Sequence, residues 1–188
     1  MERLSRRLLK RDGSFRESAL SRWIEGQRGR IHREPAVILN ETGVALRMAR
    51  SAGDRHAEAR ILRLRAHAWR AENHFGRALA DYRRSSSLFK RAKRTGDALV
   101  NDIGTIDALM YLGRYAEARR TALRARRRFA AIGDSSRQAR VETNLGNIHH
   151  RRDEPQEALE WYDRALSSFR QLRETDSVTG ASLFVRRQ

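Results

Sequence analysis

Cysteine is absent from all 188 residues. That excludes disulfides, thiolate metal sites and thiol nucleophiles, and it fits a reducing compartment. Proline occurs only at Pro35 and Pro155, so the chain carries few helix breakers. No apolar run approaches the roughly 18 residues that a membrane-spanning helix needs. The opening MERLSRRLLKRDG has no apolar core of the secretory kind. A cytoplasmic protein that does not enter membranes is the expectation. Aromatics make up 7% of the chain, too few to spare for stacking platforms that grip single-stranded nucleic acid. Chemistry is scarce as well. There are no credible strands and no glycine-rich phosphate loop, and Ser85-Ser86-Ser87 lacks the glycines of a nucleophile elbow. His149-His150 are adjacent, so on a helix they diverge by about 100° and do not form a metal pair. The paired acids Asp153-Glu154 and Glu157-Glu160 suit a helix start. No catalytic residue, metal site or cofactor is expected.

What the chain does have is a periodic helical pattern, clearest in NLGNIHHRRDEPQEALEWYDRAL, Asn144 to Leu166. Two amphipathic stretches flank a short polar break there, and Pro155 suits the first turn of the second one. Stepping back by forty residues from Ala158 reaches Ala118 and Ala78. The same step links Ala45, Ser85, Ala125 and Ala165, and it links Gly26, Ala66, Ile106 and Gly146. All of these but Ile106 are small, and small side chains at fixed positions let helix backbones approach closely. Gly13, Gly53 and Gly133 keep the step, Gly96 lies three residues off it, and each is followed by Ser14, Asp54, Asp134 or Asp97. Glycine in the left-handed region closes one helix, and Ser or Asp caps the next.

These motifs resemble the tetratricopeptide repeat, with its Leu-Gly in helix A and its Ala, aromatic and Ala in helix B. The likeness covers about residues 14–172, in units longer than the usual ~34 residues. It implies an all-α fold, a right-handed α-solenoid of antiparallel helix pairs. Four hairpins are expected at 14–53, 54–95, 96–133 and 134–172. Residues 1–13 would be the end of a helix B, and 173–188 a capping or truncated half-repeat. In that half-repeat Asp176 would start a short helix bearing Leu183, Phe184 and Val185. Long units with Gly-Asp connections also look like those of large bacterial signalling proteins, where such arrays adjoin protease or DNA-binding domains.

The resemblance further implies a non-catalytic scaffold whose A helices line a groove for a peptide or partner domain. Carried over by position, that face takes Trp23, Gln27 and Arg30, then Arg60, Arg63, His67 and Arg70. It continues with Ile103, Asp107 and Met110, then Arg140, Thr143, Asn147, His150 and Arg151. Arginines there would bond carboxylates bidentately, which favours an acidic partner. The net charge of +17 rests on 37 arginines against only Lys10, Lys90 and Lys93. It reads equally as a GC-rich codon skew or as attraction to an anionic partner. Arg119, Arg120, Arg124, Arg126, Arg127 and Arg128 crowd one helix, so a phosphate-driven nucleic-acid module is the alternative reading. Self-association through incomplete terminal units is a third.

Overall fold

The computed structural model describes residues 15–185 without a break, with positions 4, 7–10 and 12 before them; for 173–185 it gives the backbone only. Gly13 and Ser14, read as a turn and cap, lie outside the described residues, as do the side chains of Leu183, Phe184 and Val185. Eight α-helices follow one another among the described residues: α1 Glu17–Arg28, α2 Pro35–Ser51, α3 Arg55–Ala71, α4 Phe75–Arg91, α5 Thr95–Tyr111, α6 Tyr115–Ala131, α7 Ser135–His150 and α8 Pro155–Val185. The fold is all-α, and the only strand-like feature described is an isolated bridge between Leu9 and Phe15.

The turns explain the regularity. Left-handed backbone occurs at Gly53, Asn73, Lys93, Gly113, Gly133 and Asp153, so the chain reverses every twenty residues. The helices from α2 to α6 each have 17 residues. After the left-handed residue, the next N–H reaches back to a buried turn: Asp54 to Ala49 O at 2.9 Å, Arg94 to Phe89 O at 2.9 Å, Asp134 to Phe129 O at 3.0 Å. This pattern satisfies carbonyls that a helix end would otherwise orphan. Asp54 and Asp134 cap as expected, accepting from Ala57 N at 2.8 Å and Arg137 N at 3.0 Å. Gly96 does not close a helix. It lies inside α5, and Lys93 takes the left-handed position with φ 59°.

The chain divides into two compact units, residues 1–112 and 113–188. The division falls inside the third expected hairpin. In the first unit α2 packs on α3, α3 on α4 and α4 on α5, while α1 and α5 also touch α3. Its main core gathers Leu8, Leu20, Trp23, Ile38, Leu46, Ile61 and Leu62. Tyr82 is wholly buried beside Ala66 and Ala78. Small residues have a visible purpose there: a Cβ on Gly104 would lie 2.3 Å from Tyr82 Cζ. In the second unit α6 packs on α7 and α7 on α8. A Cβ on Gly146 would lie 2.4 Å from Tyr162 Cε1, so the tight approach of Gly146 to Tyr162 is real. The short helix expected to start at Asp176 is not separate, because α8 runs unbroken to Val185.

Candidate partner-binding face

Helix α3 places Arg60, Arg63, His67 and Arg70 on one stripe, at spacings of three and four that bring them to one side. Each is engaged by a neighbouring helix of the first unit. Arg60 pairs with Glu17 of α1 and donates to Ser21 Oγ at 3.0 Å. Arg63 donates to Asn101 Oδ1 at 2.6 Å and to the Asp97 carbonyl at 2.5 Å, both on α5. Its guanidinium also lies 4.7 Å from the centre of the Phe89 ring. His67 Nδ1 meets the Tyr82 hydroxyl at 2.7 Å. Arg70 pairs with Asp107 of α5. The stripe is therefore a set of cross-links from α3 to α1, α4 and α5.

That bonding corrects part of the sequence reading. Asp107, expected to face a partner, is paired with Arg70. The Arg63 side chain is only 13% exposed. Burial lowers its pKa, with the Asp97 carboxylate pulling the other way, so its charge is largely committed within the fold. Trp23 and Gln27 are not on the face at all. Trp23 is a core residue, and the buried Gln27 donates to Glu41 of α2 at 2.6 Å. Ile103 and Met110 are buried too.

Where α1 and α3 meet, a small pocket opens, lined by Ile24, Arg28, Arg60, Arg63, Leu64 and His67. Three of these, Arg60, Arg63 and His67, come from the predicted set. Ile24, Arg28 and Leu64 were missed. Arg28 had a readable signal: the step of forty puts Ala68, Ala108 and Ile148 at its equivalents, so it is the charged exception at an otherwise apolar position. Its guanidinium meets Glu25 at 3.0 Å with both side chains more than half exposed. An exposed pair of that sort contributes at most about 1 kcal/mol, so Arg28 can exchange Glu25 for another carboxylate. The pocket thus offers an apolar floor and a guanidinium rim.

In the second unit, Arg140 is exposed on α7 and Arg151 is exposed at the end of that helix. Asn147 Oδ1 accepts from the Tyr162 hydroxyl at 2.9 Å, which repeats the His67–Tyr82 contact eighty residues on. Thr143 Oγ1 donates to the Ala139 carbonyl within its own helix. His149 is buried, with Nδ1 2.7 Å from Glu154 Oε2; this is a turn-locking contact. Among the described residues no group of His, Asp and Glu could hold a metal ion. The six arginines of α6 do not form one patch. Arg126 turns inward and bonds the buried Glu142 at 2.7 Å, while Gln138 donates to the same oxygen at 2.9 Å. Arg119, Arg120, Arg124 and Arg127 are exposed.

Residues 103–171 match a family model described as tetratricopeptide repeat. Among curated proteins, none matches the chain.

Proposed function

Because residues 103–171 are tetratricopeptide-repeat sequence, in a family of protein-interaction modules, we propose that this chain is a non-catalytic scaffold. Its α1–α3 face takes an acidic peptide or partner segment, in a signalling or regulatory setting. The observation that carries this is the pocket between α1 and α3, where Ile24 and Leu64 lie beside Arg28 and Arg60. An acidic side chain next to an apolar one fits that pairing of surfaces. Arg60, Arg63, His67, Arg70 and Asp107 act chiefly as the frame, and Arg28 is the exchangeable contact. On the second unit, Arg140, Asn147 and Arg151 are proposed as contacts in their own right, on α7 and at its end.

The test is capture from the native cell extract with the chain and with its R28E variant, with and without nuclease. Arg28 is half-exposed in its pair with Glu25, so the reversal leaves the helices standing, as circular dichroism will report. Loss of a nuclease-resistant protein partner is the expected result. Undiminished capture by R28E would remove the pocket from the mechanism. R63E is a poorer probe, since it breaks the α3–α5 cross-link itself.

One observation favours a second reading. Arg120, Arg124 and Arg127 stand at i, i+4 and i+7 on the outer side of α6, and all three are exposed. Three such charges on a phosphate backbone predict a log–log salt slope of about −3. The inward turn of Arg126 takes one of the six arginines of that helix out of the count.

A further inference from the structure

Glu58 is a buried carboxylate that the repeat does not need. The step of forty puts Ala98 and Gln138 at its equivalents, and Ala98 packs beside Phe89 as a plain core residue. Glu58 is 7% exposed. A carboxylate taken out of water must be matched by cations and hydrogen bonds. Two arginines do this from the neighbouring helices. Arg50 Nε of α2 donates to Glu58 Oε1 at 2.9 Å, and Arg84 Nη2 of α4 donates to the same oxygen at 3.0 Å.

That bonding leaves most of both guanidiniums unused. A guanidinium has about five N–H donors, and the bonds to Glu58 take one on Arg50 and one on Arg84. Their side chains are 44% and 56% exposed. The next cross-link along α3 is built differently. Arg65 grips Asp81 with Nε at 2.6 Å and Nη2 at 2.7 Å, one arginine to one carboxylate. Around Glu58, two cations share one anion, which leaves a net positive charge at the surface. Arg55, exposed one turn earlier on that side of α3, offsets the capping Asp54 beside it.

We propose that Arg50 and Arg84 form a clamp for a phosphomonoester carried on a serine or threonine of a partner protein. The buried carboxylate holds the two guanidiniums around one point, and their unused N–H groups suit the terminal oxygens of a phosphoryl dianion. A single point of convergence fits a monoester better than the row of single charges along a nucleic-acid strand. That the carrier is a protein rests on the protein-interaction reading of the family. The clamp itself does not use the α1–α3 pocket. Glu58 and His67 are nine residues apart, about 180° around α3, so the two sites lie on opposite sides of that helix.

The probe is a short fluorescein-labelled peptide of glycine and alanine with one central phosphoserine, beside the same peptide with serine or glutamate in its place. Fluorescence anisotropy with the full chain reads the binding. The phosphopeptide is expected to bind about tenfold more tightly than either relative, and R50Q and R84Q should each remove about that factor. Either variant leaves Glu58 one arginine, so the helices stay standing, as circular dichroism will report. R119Q removes the same charge from an exposed site on α6 and should change binding by no more than about twofold, which controls for general attraction to a basic chain. R28Q, on the pocket rim, should likewise leave phosphopeptide binding unchanged, so failure of the pocket and failure of the clamp are read separately. Equal binding by R84Q and R119Q, or no preference for phosphoserine over glutamate, overturns the proposal. A 5′-phosphorylated oligonucleotide that binds through Arg84 while the phosphopeptide does not would give the clamp to nucleic acid and overturn it too.

Discussion

Replacing Gly104 by alanine should destabilise the protein, although alanine is the better helix former. In a helix interior the exchange gains about 1 kcal/mol from propensity alone. The structure sets a larger opposing effect. The new Cβ would lie 2.3 Å from Tyr82 Cζ, 2.6 Å from its hydroxyl oxygen and 2.7 Å from Cε1, where carbon atoms prefer about 3.5–4.0 Å. Tyr82 cannot swing away freely. It is wholly buried beside Ala66 and Ala78, and its hydroxyl is tied to His67 at 2.7 Å. Overpacking of this kind costs about 1–3 kcal/mol, and a broken hydrogen bond adds about 1 kcal/mol. The net is a loss of about 1–3 kcal/mol. Gly43 supplies the control: it lies within α2 with nothing inside 4 Å of its would-be Cβ, so G43A should stabilise by about 0.5–1 kcal/mol. Urea titration followed by circular dichroism compares the two. If G104A matched or exceeded the unaltered protein, the close approach of α5 to Tyr82 would be wrong.

Other expectations follow from the same packing. Removing the buried Glu142 as E142A strips the acceptor from Arg126, Gln138 and Ser168; because Arg126 reaches solvent, the loss should be about 2 kcal/mol, below that for a fully buried pair. A urea midpoint unmoved by E142A would contradict it. Burial, then Arg94, holds the His56 imidazole below its ordinary pKa of 6.5, with Glu17 pulling weakly upward. The unfolded chain therefore binds this proton more readily, and the contribution, complete above about pH 6.5, is lost as pH falls toward the folded pKa. The drop in urea midpoint between pH 7.5 and 5.5 should be smaller in H56Q than in the unaltered protein, and an identical drop would clear His56. Replacing the cap as D134A removes the acceptor for Arg137 N–H at the start of α7 and should cost about 1 kcal/mol, measured the same way.

Much of the fold was legible because it is local. Gly53 and Gly133 announce left-handed turns, Asp54 and Asp134 announce caps, and the small residues from Ala45 to Ala165 mark close helix contacts. The true step of twenty was hidden, since Asn73, Lys93 and Asp153 occupy left-handed positions that glycine usually advertises. The candidate face was read less well. Arg60, Arg63, His67 and Arg70 were assigned to the groove by carry-over from the repeat resemblance; in the structure they lie along one side of α3 and are tied to neighbouring helices. Their partners Glu17, Asn101, Tyr82 and Asp107 lie 15 to 43 residues away in sequence, and no periodicity links them.

The sequence by itself determined the helices, their turns and the repeat, because propensity, capping and hydrophobic period act within a few residues. Only the tertiary structure decided what each arginine does. Arg126 and Arg28 look alike in the sequence, yet one bonds a buried carboxylate and the other edges a pocket. A side chain's charge is fixed by its chemistry, but whether that charge is spent inside the fold depends on which helix lies beside it.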